Sequence, residues 1–515
     1  MPFRRRLWFI AGLAGIGGFV SYLAFKPQGL WFLAPLALGV LFIALDKAGR
    51  GTALAGGLAF GLAQFLPMLT WAYNAAGMLP YLALAILTAA LLAIGPLAYA
   101  WTRPLWGGKH RCGPALDAVC FALLFTGADT LRSFVPFGGF PWGRLGFSQA
   151  TGPLARWAWV GGAPVVGLVV ALIVPFAIGA LRSWRNSAWG PAAAGAACAA
   201  GLIAAPWLFP IEATAESGTL RVGAVQGDVD VTAEGLFAQQ RQVLENHVAQ
   251  TLVLVEAAGA DAFDVVLWPE NSTDIDPRTD DEAADAIETA AAAIGVPLLV
   301  GAMEYIPEGG RYNQGLLWVA GEGVVAEYAK QHPAPFAEYM PARSFFRLFT
   351  SKVDLIGTDM AAGNTVGVFE IPTASLERTV MLGDVICFEV AYDSIVAETV
   401  RAGAEAIAVQ TNNASFGFSE EAWQQLAMTR LRAIELGRST VQISTVGISA
   451  AFAPDGSFLA GPTELFEPAW FAVELPLRTS LTPAASYGSS ITLVLMAAAA
   501  MLALTGIAGR LIKRT

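Results

Sequence analysis

The chain has 515 residues, 55% hydrophobic and only 14% charged, with mean hydropathy +0.54 and formal net charge −10; a globular average is about 25% charged, so a wholly water-soluble protein is excluded. The charge is uneven: residues 1–211 hold three acidic side chains (Asp46, Asp117, Asp129), and the other 38 of the 41 lie in 212–489 beside 14 Lys and Arg. Such an acidic segment does not bind nucleic acid or anionic headgroups by bulk attraction.

A membrane span needs roughly 20 apolar residues, and candidates occur at 7–25, 29–45, 52–73, 79–101, 114–131, 158–181, 188–208 and 490–509. Eight spans with a cytoplasmic N-terminus put Arg4, Arg5, Arg6, Lys47, Arg50, Arg103, Lys109, Arg111, Arg182, Arg185, Arg510, Lys513 and Arg514 inside, and only Lys26, Arg132, Arg144 and Arg156 in outer loops. Short cytoplasmic loops carry the excess of Lys and Arg. The bias therefore predicts both termini in the cytoplasm and the stretch between spans seven and eight outside it. The first span reads as an anchor, because it is longer than a signal core and another span follows at once.

Beyond the seventh span, Leu220–Gln226, Phe263–Trp268, Pro297–Met303, Thr379–Cys387 and Ala404–Gln410 read as buried strands. The stretches 235–258, 281–294, 394–402 and 420–437 read as helices, and this alternation predicts an α/β layered fold. Several strands end in a reactive group: Glu270 after Val265–Trp268, Lys330 after the strand pair at 313–329, and Cys387 after Val385-Ile386. Cys112, Cys120 and Cys198 lie in or beside spans, so Cys387 is the lone thiol of the acidic domain and has no disulfide partner there. By itself that fits an inert buried cysteine as well as a reactive one.

Together the three strand-end groups have complementary chemistry. A thiol is mostly protonated at neutral pH; a carboxylate in reach takes its proton, and a lysine favours the thiolate and stabilises an oxyanion. Glu270 is then the base, Lys330 the electrophilic partner, and the Phe388 N–H a second oxyanion donor.

Pro269-Glu270, Lys330 followed eight residues later by Glu338 in Lys-Gln-His-Pro-Ala-Pro-Phe-Ala-Glu, and Cys387-Phe-Glu389 resemble the Glu-Lys-Cys signature of the nitrilase superfamily. A nitrilase-like domain between seven spans and one is similar to the layout of the apolipoprotein N-acyltransferase family. Gly139-Phe140-Pro141-Trp142 and Leu145-Gly146-Phe147-Ser148-Gln149 are similar to that family's outer loop between spans five and six. Val225-Gln226-Gly227-Asp228, Thr411-Asn412-Asn413 and Ala433–Arg438 also fit it.

The resemblance implies a seven-helix membrane domain over 1–211, an extracytoplasmic nitrilase-like αββα sandwich over 212–485, and an eighth span with a cytoplasmic tail over 486–515, in the cytoplasmic membrane of a bacterium. It implies that Cys387 takes a fatty acyl group from a phospholipid as a thioester and passes it to the α-amino group of a diacylglyceryl-modified N-terminal cysteine on an apolipoprotein. Glu270 moves the protons, Lys330 and Phe388 form the oxyanion hole, and Glu338 orients Lys330 or Glu270, with no metal or diffusible cofactor. Trp142, Glu389, Asn412, Ser415 and Phe336 are the expected substrate contacts; Trp142 reads equally as an interfacial anchor, and Glu389 also as a brace for the loop after the nucleophile. Phe336, Phe345, Phe346, Leu348 and Phe349 are expected to form a mobile apolar arm dipping into the lipid interface. Phe388, Ser415 and Val446 stand where the family often has Tyr, an aromatic and Asn, which bears on fine specificity.

Other readings compete. His332 is an alternative base for Cys387, while His110 falls in a cytoplasmic loop and His247 on a helix that reads as surface. Asp117 and Asp129 raise the question of an ion pathway, against which stands placement near helix ends or in protein contacts. A membrane-tethered amidase or nitrilase acting on an exported C–N substrate, and a non-catalytic lipoprotein-binding protein, are the alternative functions.

Overall fold

The computed structural model describes residues 3–46, 48–103, 113–229, 240–307, 309–348, 353–354 and 357–511. Lys47, Lys109, His110, Arg111, Cys112, Phe349, Lys513 and Arg514, and the first five residues of the helix expected at 235–258, lie outside the described residues. Two compact units divide the chain: residues 1–210 with 487–515, and residues 211–486.

The first unit is helical. Among the described residues, six helical stretches are long and apolar enough to cross a membrane: Arg50–Met68, Met78–Thr102, Pro114–Leu131, Pro153–Arg185, Trp189–Leu208 and Pro483–Gly506. Of the first two expected spans, one is the helix Phe3–Tyr22, which opens on three arginines, and the other, Leu33–Ala44, has only 12 residues. Small residues let these helices approach at backbone range. A β-carbon on Gly57 would sit 2.9 Å from the Ala93 Cα, one on Gly61 2.7 Å from the Ala89 Cα, and one on Gly95 2.8 Å from the Leu124 carbonyl oxygen. Both acidic groups raised as an ion pathway are held in protein contacts: Asp117 accepts from the Tyr99 hydroxyl (2.7 Å), and Asp129 pairs with Arg132 (2.9 Å).

The second unit is a two-sheet sandwich. Its strands in chain order are β1 (Thr219–Gln226), β2 (Val265–Leu267), β3 (Leu298–Tyr305), β4 (Arg311–Val319), β5 (Gly323–Ala329), β6 (Val368–Thr373), β7 (Arg378–Ile386), β8 (Ala406–Thr411), β9 (Ser439–Ser444), β10 (Ala450–Phe452), β11 (Phe458–Ala460) and β12 (Ala469–Pro476). One sheet runs β12-β1-β2-β3-β4-β5 and the other β11-β10-β9-β8-β7-β6. The centre of each is parallel, β1-β2-β3 and β7-β8-β9, with antiparallel flanks. Central parallel strands are covered on both faces and so read as unbroken apolar runs; all six residues of β8 and of β9 are buried.

Between the sheets pack Val222, Leu267, Leu299 and Leu317 from one side and Leu382, Ile386, Ala408 and Val441 from the other. The first sheet's outer face is covered by the helices Gln240–Ala258 and Asp281–Ile294 through Leu244, Leu254, Ile287 and Ile294. The helix Glu421–Leu436 covers part of the second through Ala422, Leu426 and Ala433. The order of layers is helix, sheet, sheet, helix. His247, expected at the surface, is fully buried with its ring 5.6 Å from that of Trp268. Burial lowers its pKa to about 4, so it is neutral.

Candidate active site

In open α/β sheets, ligands bind beyond the carboxyl ends of the parallel strands, and that is where the strand-end groups meet. β2 is followed by Trp268-Pro269-Glu270, and Glu270 is 4% exposed. Its Oε1 accepts from Asn313 Nδ2 (2.6 Å) and Lys330 Nζ (3.2 Å), and its Oε2 from the Asn412 backbone N–H (2.8 Å). Behind it, the Thr445 hydroxyl donates to the Glu270 carbonyl (2.8 Å), and Gln410 Nε2 to that of Trp268 (2.6 Å). The carboxylate is thus fixed from β4, β5 and the end of β8.

Lys330 leaves β5 fully buried. Its ammonium bonds Glu270 and, at 2.7 Å, Glu338 Oε1; the other Glu338 oxygen accepts the Ala334 N–H (2.6 Å). Burial alone would lower the Lys330 pKa, but the charges of Glu270 and Glu338 hold it well above the ordinary value. Lys330 is therefore a fixed cation and not a base.

Cys387 ends β7 with φ +55° and opens the 3₁₀ turn Cys387–Ala391. A non-glycine residue in the left-handed region is held there only by strong surroundings. Here Glu389 supplies them: wholly buried, it accepts the backbone N–H groups of Ile386 (2.8 Å), Gln331 (2.6 Å) and His332 (3.1 Å) and the Tyr328 hydroxyl (2.9 Å). The same carboxylate ties the nucleophile turn to the loop after Lys330. From behind, Arg432 donates to the carbonyls of Val390 (2.8 Å) and Ala391 (2.9 Å) while pairing with Asp393 and Glu435. The thiol pKa is raised by burial and by the Glu270 charge against the opposing pull of Lys330. Cys387 therefore rests as a thiol and needs a base when it attacks.

Glu270, Lys330, Glu338 and Cys387 are thus brought to one place. The expected substrate contacts sort differently. Glu389 is taken up entirely as a brace, which corrects its reading as a substrate contact. Asn412 reaches Glu270 through its main chain, and its side-chain oxygen accepts the Ala414 N–H (3.0 Å). Ser415 is exposed in the turn Ala414–Phe416, and Phe336 is exposed beside Phe346, ring centroids 5.0 Å apart. Trp142 lies in the helical unit, 2% exposed with its ring 5.4 Å from that of Trp71; a ring so enclosed is not an interfacial anchor. The His332 ring packs tilted against that of Tyr392, centroids 4.0 Å apart, whereas the Cys387 sulfur meets Thr411 (3.4 Å) and Gln425 (3.6 Å).

Sequence reasoning missed Asn313, Glu421, Gln425 and Asp384. Asn313-Gln314 interrupts an apolar strand, and Gln425 is a polar residue on the buried face of a helix; both are the kind of signal that marks a site. Burial raises the Glu421 pKa to about 8 and that of Asp384, between the sheets, well above the ordinary carboxylate range. Among the described residues, no group of three or more His, Cys, Asp and Glu side chains is arranged to hold a metal ion.

Two family models match this chain: the apolipoprotein N-acyltransferase N-terminal domain over residues 17–175 and carbon-nitrogen hydrolase over residues 221–473. The apolipoprotein N-acyltransferase of Mycolicibacterium smegmatis is 36% identical across 94% of this chain and 82% of its own length. That of Azotobacter vinelandii is 30% identical across 86% and 85%, and that of Pseudomonas putida 27% identical across 92% and 92%. Among solved structures, an amidase from Nesterenkonia sp. covers 51% of this chain and 92% of its own, with 16% identity and a TM-score of 0.38.

Proposed function

The chain belongs to the apolipoprotein N-acyltransferase family, with a nitrilase-like α/β catalytic unit, and from that premise we propose that Cys387 carries the transferred acyl group as a thioester. The overall reaction is N-acylation of lipoproteins, and the amidase alternative is not favoured. The observation that carries the assignment is the buried Lys330 ammonium held between Glu270 (3.2 Å) and Glu338 (2.7 Å).

In the first half-reaction the sulfur attacks an ester carbonyl of a phospholipid while Glu270 takes the thiol proton. Lys330 and the Phe388 N–H stabilise the oxyanion, and the Glu270 carboxylic acid returns the proton to the departing lysophospholipid. In the second, the α-amino nitrogen of the diacylglyceryl cysteine attacks the thioester, and Glu270 takes the amine's proton and delivers it to the leaving sulfur. Ping-pong kinetics follow. Because Lys330 stays charged, it offsets negative charge in both intermediates without joining the proton traffic.

Three further features belong to this reading. The helical unit spans the bacterial cytoplasmic membrane eight times, with the catalytic unit outside and both termini inside; the inside excess of Lys and Arg supports this. The unit limits, read from the sequence, are 1–211, 212–485 and 486–515, each one residue away from the edges of the compact units. The segment from Pro335 to Leu348 is a lipid-facing arm, a role supported by its exposed Phe336, Phe345 and Leu348. Its base is tied to the site by Glu338, which holds Ala334 and Lys330 with its two oxygens. Lipid entering past the arm would pass the group that fixes the catalytic cation.

The test is transfer from vesicles carrying an acyl-labelled phospholipid to a diacylglyceryl-cysteine peptide, read by product mass. Wild type is expected to give the labelled amide with burst kinetics in lysophospholipid. Replacing Phe345 and Phe346 by Ser is expected to slow acylation from vesicles while sparing a short-chain ester; equal rates on vesicles would sink the arm.

A further inference from the structure

On the far side of the nucleophile lies a second set of polar groups that the proton traffic does not use. Thr411, Gln425 and Ser444 are 0% exposed and Asn413 and Glu421 2%. Five buried polar side chains in one place, all bonded, need an explanation, since burying polar groups is costly without partners.

Their hydrogen-bond directions are traced from one fixed point. The Gly447 backbone N–H can only donate, and it donates to Ser444 Oγ (2.8 Å). The Ser444 hydroxyl then spends its hydrogen on Asn413 Oδ1 (2.8 Å). That sets the Asn413 amide with its nitrogen toward Glu421 Oε2 (2.6 Å) and Gln425 Oε1 (2.8 Å). Gln425 must therefore turn its oxygen to Asn413 and its NH₂ group to the Cys387 sulfur at 3.6 Å. The single hydrogen of Thr411 is shared between Gln425 Oε1 (2.8 Å) and the sulfur (3.4 Å). A β-carbon on residue 447 would overlap Asn413 Oδ1, so glycine there leaves the amide in place.

We propose that Gln425 is a catalytic hydrogen-bond donor to the Cys387 sulfur, locked in its donating orientation by Glu421, Asn413, Ser444 and the Gly447 N–H, and that with Thr411 it stabilises the thiolate whenever the thioester is broken. In turnover this rests on the proposed thioester. When the tetrahedral intermediate formed by amine attack collapses, the C–S bond breaks and its electron pair goes to sulfur, before Glu270 delivers to that sulfur the proton it took from the amine. The sulfur carries the negative charge at the moment when the nearby carboxyl group has just lost its own. Donors to the charged form lower a pKa, and this thiol, pushed up by burial and by Glu270, is one that needs them. Gln425 and Thr411 touch the reacting atom; Asn413, Ser444, Glu421 and Gly447 are positioning residues.

The test does not require turnover. The full chain in detergent is alkylated with iodoacetamide across a pH series, and the Cys387 peptide is followed by mass spectrometry. Gln425→Leu is expected to raise the thiol pKa by about one unit, which at neutral pH slows thiolate-limited alkylation about tenfold. Gln425→Met, of similar length but without a donor, is expected to do at least as much. Gly447→Ala, which leaves every donor in place and disturbs only their orientation, is expected to shift the pKa in the same direction by less. An unchanged pH profile in a Gln425→Leu or Gln425→Met protein that melts like wild type would overturn the proposal. Loss of the acyl adduct on a wild-type Cys387 whose pKa does depend on Gln425 would instead count against the thioester and leave the donor standing.

Discussion

The helical unit and the sandwich unit are held together by different forces. In the helical unit the close contacts are between backbones, with Gly18 against the Phe60 main chain and Gly61 against Ala89. In the sandwich the contacts are between large apolar side chains of two facing sheets, Leu267, Leu299 and Leu317 against Leu382 and Ile386. Helices surrounded by lipid gain little from burying more Leu and associate by close packing of small residues; sheets that fold in water gain most by burying apolar area. The difference teaches where a reaction can be built: the apolar surplus of the sandwich offsets the cost of burying Glu270, Lys330, Glu389 and Glu421 at its strand ends. In the helical unit, buried Asp129 is matched at once by Arg132.

The contrast can be broken experimentally, beginning with its chemical side. Glu270→Gln keeps the shape of the buried carboxylate and removes the base, so single-turnover acylation of Cys387 is expected to fall by about 10²–10⁴-fold with little change in melting temperature. Arg432→Ala leaves Asp393 and Glu435 without their buried partner and unties the turn after Cys387. A loss of about 3–5 kcal/mol is expected, seen as a large drop in the thermal unfolding of the sandwich, whereas removing exposed Arg241 from its pairs with Asp280 and Glu282 costs about 0–1 kcal/mol.

On the helical side, Gly61→Leu forces two backbones apart and is expected to cost about 1–3 kcal/mol, while Gly51→Leu, with nothing within 4 Å of its β-carbon position, should be silent. Equal melting temperatures for the two variants would remove the close-packing half of the comparison. The smallest effect concerns Asp384. Its folded pKa lies well above that of the unfolded chain, so the folded state holds a proton that the unfolded chain releases. Stability from this group is full at acid pH and declines as pH rises from the ordinary carboxylate value toward the folded one. Asp384→Asn should therefore melt at or slightly above the wild-type temperature at neutral pH and remove that slope; a markedly lower melting temperature would show that an ionised Asp384 is required.

Much of the site was legible because strand ends are local features. Glu270, Lys330 and Cys387 each follow a recognisable apolar run, and the same periodicity marks the helices over them. What could not be read depends on which faces meet. Asn313 matters only because β4 turns it toward Glu270, and Gln425 only because the helix Glu421–Leu436 lies across the end of β7. Glu389 reads from the sequence both as a substrate contact and as a brace for the loop after the nucleophile; the 3₁₀ turn folds it back under Cys387, where it braces. His247 was assigned to the surface because its helix mixes polar and apolar residues, yet that residue is pressed against Trp268. In the helical unit hydropathy located the helices well, but Trp142, read equally as a substrate contact and as an interfacial anchor, is enclosed by its neighbours, which a one-dimensional hydropathy profile does not register.

The central claim is that Cys387 itself carries the acyl chain, and trapping that chain tests it most directly. Purified protein is mixed with an acyl-labelled phospholipid in the absence of acceptor, quenched in acid, and digested for mass spectrometry. The account predicts an acyl group on the Cys387 peptide, absent in Cys387→Ser and discharged by a diacylglyceryl-cysteine peptide at the rate of turnover. Transfer to the peptide by the Cys387→Ser protein at the wild-type rate would contradict it.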